Sequence, residues 1–200
     1  MIDEVKAALG ETSRRNLLRR IGVVSTAVGL IAIGGAPAEA APRARNSSGG
    51  ATASDVAVMQ GALALEHEGI AAYKIAGGSG LLSKDVLDVA LIFLGHHEGH
   101  RDALAGLIAQ SGGKPVEPKS NEAYIRDLNV AALKSQADVI KFAAGLEQGA
   151  ANAYVGQLAA LQDAKIAHLF GQLGADEAVH WALLNNAAGG TVPKTALLFS

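Results

Sequence analysis

Four stretches of this chain carry an apolar stripe at three- and four-residue spacing, and a glutamate or histidine stands near the middle of each. The first stripe is Met59, Leu63, Glu66, Ile70 and Tyr73, and the second is Phe93, His97, His100, Leu104 and Leu107. The third is Ile140, Ala143, Glu147, Ala151, Tyr154, Leu158 and Leu161, and the fourth Ile166, Phe170, Leu173, Glu177, His180 and Leu184. This is the period of the α-helix, so the pattern predicts four amphipathic helices turned toward a shared core. The fold class is therefore all-α, an antiparallel four-helix bundle with a polar layer inside it. A carboxylate on such a stripe needs a partner, because burying it unpaired is costly.

Turn residues bound the segments at Gly77 to Gly80, Ser111 to Pro115 and Gly189-Gly190, while the third passes to the fourth near Gln162-Asp163. The predicted helices run roughly from Ser54 to Ala76, Ser83 to Gln110, Ser135 to Leu161 and Ala164 to Ala187. Ser54 and Ser83 are the expected N-caps, and Asp85 lies in the acidic first turn that the helix dipole favours. About two dozen residues, Ser111 to Lys134, separate the second helix from the third, with a helical piece expected near Tyr124 to Leu133. That length permits a crossover running the height of the bundle.

The amino terminus is of another kind. Ser13-Arg14-Arg15-Asn16-Leu17-Leu18-Arg19 precedes an apolar run from Ile21 to Ile33 and a small-x-small site, Ala38-Glu39-Ala40. The run is shorter than the ~20 residues of a spanning helix, and the whole resembles a twin-arginine export signal. The resemblance implies passage through the twin-arginine translocase in the folded state, cleavage near Ala40/Ala41, and a periplasmic or otherwise exported location. Residues 1–40 are then the signal, 41–53 a flexible linker, 54–188 the bundle and 189–200 a tail.

Composition narrows the chemistry. The chain has no cysteine, which excludes disulfides, thiolate zinc sites and iron–sulfur clusters. Any metal must be held by carboxylate and imidazole. From Ala41 onward, twelve Lys and Arg face fifteen Asp and Glu, with no basic stripe, so nucleic acid is not an expected partner. Helix four carries Glu177-Ala178-Val179-His180, whose acid and imidazole lie on one face at i and i+3, and His97 and His100 have the same spacing on helix two. Burying Glu66, Glu147 and Glu177 together without a cation would force repulsion or protonation, and a metal ion resolves the conflict.

Leu65-Glu66 followed by Tyr73 matches Leu146-Glu147 followed by Tyr154, so helices one and three are sequence relatives. Tyr73 and Tyr154 are expected as core aromatics with hydroxyls at the bundle end. Glu98 falls on a flank, His96 at the edge of the core face, and His67 and Glu68 on solvated or interfacial faces. His168 is expected at the surface, and Trp181 against a neighbouring helix or subunit.

This order of groups, a mid-helix Glu, a metal-binding pair, a second mid-helix Glu and an E-x-x-H, resembles the ferritin-like superfamily, rubrerythrin-type domains included. The resemblance covers about residues 54 to 188. It implies metal ligation by Glu66, His97, His100, Glu147, Glu177 and His180, with iron as the expected metal, mono- or dinuclear, and manganese or zinc as substitutes. The ligand types suit ferroxidase- or oxidase-like chemistry, whereas the altered helix-two pair and the few aromatics suit the alternative, a non-catalytic exported scaffold or stress protein with a degenerate or zinc-filled site. The family has Glu where this chain has His97, which removes a potential bridge between two irons. Homo-oligomers are expected through bundle faces or the tail, where Val192, Leu197, Leu198 and Phe199 are apolar.

Overall fold

The computed structural model describes residues 50–199; the expected export signal and most of the linker lie outside them. The described residues are helical, without strands: α1 (Ala53–Gly77), α2 (Lys84–Gln110), the short α3 (Asn121–Asp127), α4 (Gln136–Gln157) and α5 (Ala164–Ala187). Two 3-10 turns, Val130–Ala132 and Leu158–Ala160, complete the chain's regular structure there. Among the described residues no helix is long and apolar enough to cross a membrane.

Helix α1 is capped by Thr52, two residues before the expected cap. Thr52 Oγ1 accepts from the Asp55 amide at 3.1 Å, and Asp55 Oδ2 accepts from the Thr52 amide at 3.0 Å. This reciprocal capping box needs an acid three residues on, which Thr52 has in Asp55 and Ser54 lacks, having Ala57 there. The other Asp55 oxygen takes the Gln162 amide at 2.7 Å, so a fully buried carboxylate ties the start of α1 to the turn before α5. Burial opposes its charge, but these backbone donors hold Asp55 below the usual carboxylate range.

Ser83 caps α2 by position, although its hydroxyl makes no capping bond. Its amide instead donates to Gln136 Oε1 at 2.7 Å, joining the start of α2 to that of α4. The crossover lies along α1, where Gln60 accepts from the Val116 amide at 2.8 Å and donates to the Lys114 carbonyl at 2.7 Å. His67 Nε2 meets the Val116 carbonyl at 3.1 Å, an interfacial place as expected. The helix expected near Tyr124 to Leu133 is instead α3 followed by a 3-10 turn, because Asn129 takes a left-handed conformation between them.

The bundle is two helical hairpins, α1 with α2 and α4 with α5, joined by the crossover and packed across α1 and α4. Gly174 permits the close approach of α5 to α4: a Cβ there would lie 3.1 Å from Tyr154 Cβ. Helix α4 ends before the stripe's last two members, Leu158 and Leu161, yet Leu161 is still buried, in extended backbone after the 3-10 turn. At this end Met59, Leu63, Leu104, Ile108, Leu161, Ile166, Phe170 and Leu173 form one apolar cluster. The α2 stripe thus closes on Ile108, with Leu107 only half-buried. Next along the same helices comes a layer that is anything but apolar.

Candidate metal centre

Glu66 of α1, His97 and His100 of α2, Glu147 of α4, and Glu177 and His180 of α5 are all buried, none more than 7% exposed. The structure brings all six together. His97 stands between two helices, with Nδ1 2.8 Å from Glu66 Oε2 and Nε2 3.3 Å from Glu147 Oε1. Glu177 divides its oxygens: Oε1 is 3.0 Å from His100 Nδ1 and Oε2 3.2 Å from His180 Nδ1. Gly69 makes room for the His97 ring, since a Cβ there would lie 3.2 Å from it.

The tyrosines do not follow the expectation. Their hydroxyls lie in the centre, not at the bundle end: Tyr73 of α1 donates to Glu147 of α4, and Tyr154 of α4 donates to Glu66 of α1. Seven residues are two helical turns, too far for a tyrosine to serve the glutamate of its own helix. Because α1 and α4 run antiparallel, each tyrosine comes level with the other helix's glutamate. The internal repeat thus becomes a reciprocal pair of hydrogen bonds. Burial and the adjoining carboxylates push both phenols far up, so they stay protonated donors.

His96 stands at the edge of the core face, as expected. It is exposed, but its Nδ1 lies 2.9 Å from Nε2 of His180. The exposed Asp176 does the same for the other pair, with Oδ2 3.2 Å from His100 Nε2. Neither contact could be read from helical phase alone, since each depends on how α2 and α5 are rotated against one another. Glu98 is on the flank as expected, paired with Lys74 at 2.9 Å, and His168 is exposed. Trp181 packs edge-on against Phe199 at 5.3 Å, so the tail covers it.

Three acids against three imidazoles make the layer self-compensating. Burial works against every charge in it. Even so, bonds from His100 and His97 hold Glu66 at about 2. Bonds to Glu147 and Glu66 raise His97 to about 11, and bonds to Glu177 and Glu66 raise His100 to about 10. Glu147 is held low by His180 and His97, whereas Glu177 is pushed up by its complete burial and by the Glu147 carboxyl beside it.

The donors also form two overlapping ligand sets. Ligand atoms of Glu66, His97, His100 and Glu177 lie within 4.8 Å of one another, and so do those of His97, Glu147, Glu177 and His180. Carboxylate oxygens with imidazole nitrogens suit iron, manganese or zinc, so the residues present fit a first-row divalent ion. Glu177 can serve both sets through its two oxygens. Neutral His97 has one free lone pair and can serve one ion only.

A cavity of about 220 Å³ opens between α1 and α4 onto Glu66, Glu147, His97 and Tyr73. Its walls include Leu65, Leu146, Gly145 and Gly149. A Cβ at either of these glycines would meet nothing within 4 Å, so close helix packing does not require them there.

The fold has known counterparts. Residues 54–190 match the family model described as the ferritin-like domain. Among solved structures, a conserved hypothetical protein, rv2844, from Mycobacterium tuberculosis has a TM-score of 0.58 at 21% identity, over 72% of this chain and 96% of that one. A DUF305 fragment from Deinococcus radiodurans has a TM-score of 0.58 at 16% identity, over 70% of this chain and 99% of the fragment. At such identities they are relatives in fold. No protein of curated function matches. The family match spans most of the chain and both halves of the bundle, and with it this chain belongs to the ferritin-like domain family.

Proposed function

We propose that the protein is an exported metal-binding ferritin-like protein whose centre holds iron and reacts with oxygen or peroxide. The observation that carries this reading is the six buried donors, contributed by all four long helices, converging in one layer. Glu66, His100, Glu147, Glu177 and His180 would hold the metal, with His97 completing one of the two sets. Bound iron supplies one-electron chemistry with a small oxidant. The chain's own residues do the rest: the carboxylates neutralise the cation, and Tyr73 and Tyr154 fix the rotamers of Glu147 and Glu66 by donating to them. The apolar-walled cavity between α1 and α4 gives a small uncharged molecule a way to the carboxylate side.

Export rests on the twin-arginine pattern at Ser13 to Arg19 and the small-x-small site before Ala41. Replacing Arg14 and Arg15 by lysine should leave the precursor inside the cell, as judged by fractionation. For the centre, the test is anaerobic Fe(II) titration of the exported protein, followed by oxygen. Stoichiometric iron with oxygen consumption supports the oxidase reading, and absence of iron binding rejects it.

One observation favours a second reading. His97 is ion-paired to Glu66 and Glu147 at once, so a protonated imidazole can compensate the layer where a second metal would otherwise stand. A non-catalytic scaffold, metal-free or zinc-filled, would retain this arrangement. Iron binding without oxygen consumption, or zinc in place of iron after export, would decide for it.

A further inference from the structure

Among the described residues, His96 is the one exposed imidazole in contact with a buried ligand candidate. Its ring and that of His180 are inclined by only 19°, with centroids 5.1 Å apart. The nearest nitrogens, Nδ1 of His96 and Nε2 of His180, are 2.9 Å apart. That centroid distance is about two ring radii plus the nitrogen contact, so the rings lie nearly in line within one plane. This is the geometry of an N–H···N bond and not of face-to-face stacking. Phe93 supplies the stacking, its ring lying on His180 with centroids 4.1 Å apart. The two contacts together fix the His180 ring both in tilt and in rotation.

The orientation matters because the two nitrogens of His180 face different things. Nδ1 is 3.2 Å from Glu177 Oε2 and 3.6 Å from Glu147 Oε1, inside the second ligand set. Nε2 points outward to His96. An imidazole can bind a metal only through a nitrogen that has lost its proton, and the partner of the other nitrogen decides which one that is. On the opposite half of the centre, the exposed Asp176 carboxylate faces His100 Nε2 in the same way, with His100 Nδ1 turned inward to Glu177.

We infer that His96 is a positioning residue for the metal centre: its Nδ1 accepts the Nε2 proton of His180, leaving Nδ1 of His180 as the lone pair presented to the metal. The proton of His96 then sits on its own Nε2. The two halves of the centre are unequal by this assignment. His100 is backed by a carboxylate and His180 by a neutral imidazole, so His180 is the less basic of the two ligands and the one whose orientation depends on His96. This inference rests on the metal-centre reading and gives one exposed residue a part in it.

The test uses Zn(II), a diamagnetic probe, and the mature protein. In the ¹⁵N-labelled, zinc-loaded protein, long-range ¹H–¹⁵N correlation should show His180 bound through Nδ1 and protonated at Nε2. His96→Ala should weaken zinc binding by roughly ten- to a hundredfold, the range typical of a lost ligand-orienting partner. His96→Asn, whose amide oxygen falls close to the place of Nδ1, should recover most of that loss. His168→Ala, which removes an exposed imidazole of α5 away from the centre, should change nothing. Because His96 is exposed, thermal unfolding of the metal-free variants should match that of the parent. Zinc on His180 Nε2, or His96→Ala affinity within about twofold of the parent, overturns the inference while leaving the metal centre standing. A parent protein that binds no zinc at all overturns the centre and the inference together.

Discussion

One end of the bundle and its middle layer are built by the same helices on the same stripes, and they solve opposite problems. At the apolar end, Met59, Leu63, Leu104, Ile108 and Phe170 are completely buried and need nothing but close packing. In the layer beside it, Glu66, His97, Glu147, Glu177 and His180 are as deeply buried, and every charge must be answered by another group. The first region stabilises the fold through area removed from water. The second gains little for the fold beyond its own compensation, since buried ion pairs seldom outdo apolar residues of like volume. A chain that maintains such a layer at the centre of its core uses the apolar end to offset it.

The comparison is broken most severely by removing a donor from the layer. Glu147→Ala or His180→Ala should abolish most metal occupancy, measured by elemental analysis of the exported protein. Glu147→Ala should also cost the metal-free protein about 3–5 kcal/mol in urea unfolding, because it leaves the His97 and Tyr73 donors without their acceptor. Equal losses of metal in Glu98→Ala would contradict the inward placement.

In the apolar end, Phe170→Ala should cost about 3–5 kcal/mol by cavity formation while leaving metal per folded chain unchanged. That split between stability and occupancy separates the two regions. Loss of metal on Phe170→Ala at constant folded fraction would mean that they are not independent.

The pH dependence sharpens the same contrast. His97, raised from 6.5 to about 11 in the metal-free fold, contributes stability that is complete below about 6.5 and is lost as pH climbs toward 11. Glu66, lowered from 4.5 to about 2, contributes stability that is complete above about 4.5 and is lost as pH falls toward 2. Chelator-treated protein should therefore be most stable between about pH 4.5 and 6.5, and urea midpoints should decline on both sides. Metal must displace the protons of His97 and His100, so its affinity should grow with pH across this range.

A smaller effect belongs to the cap. Asp55→Ala removes acceptors from Thr52 and Gln162 and should cost about 1.5–3 kcal/mol, the range for hydrogen bonds to a charged group, with metal binding intact. The smallest is Glu98→Ala, which loses only the exposed pair with Lys74 and should change stability by less than about 1 kcal/mol.

What could be read before the structure was what repeats with the helical period. Glu66, Glu147, Glu177 and His180 fall on apolar stripes, and the turn glycines mark where the helices stop, so the number, order and phase of the four long helices were legible. Contacts that depend on the rotation of one helix against another were not. His96 looks like an edge residue from α2 alone, and only the placement of α5 brings His180 to it. Tyr73 and Tyr154 look like bundle-end aromatics until α1 and α4 are set antiparallel and level. Thr52 is a miss of a different sort: the Thr-x-x-Asp pattern was present, but Ser54 stands nearer the onset of the periodic stripe.

The most direct test of the central claim is an anomalous-scattering map from crystals of the exported protein, collected at the absorption edge of the metal found by elemental analysis. A peak is expected among Glu66, His100, Glu147, Glu177 and His180, within about 2.0–2.3 Å of carboxylate oxygens and imidazole nitrogens. A map with no peak there, from protein offered iron, manganese and zinc in turn, and with His97 bonded to both Glu66 and Glu147, would contradict the metal centre.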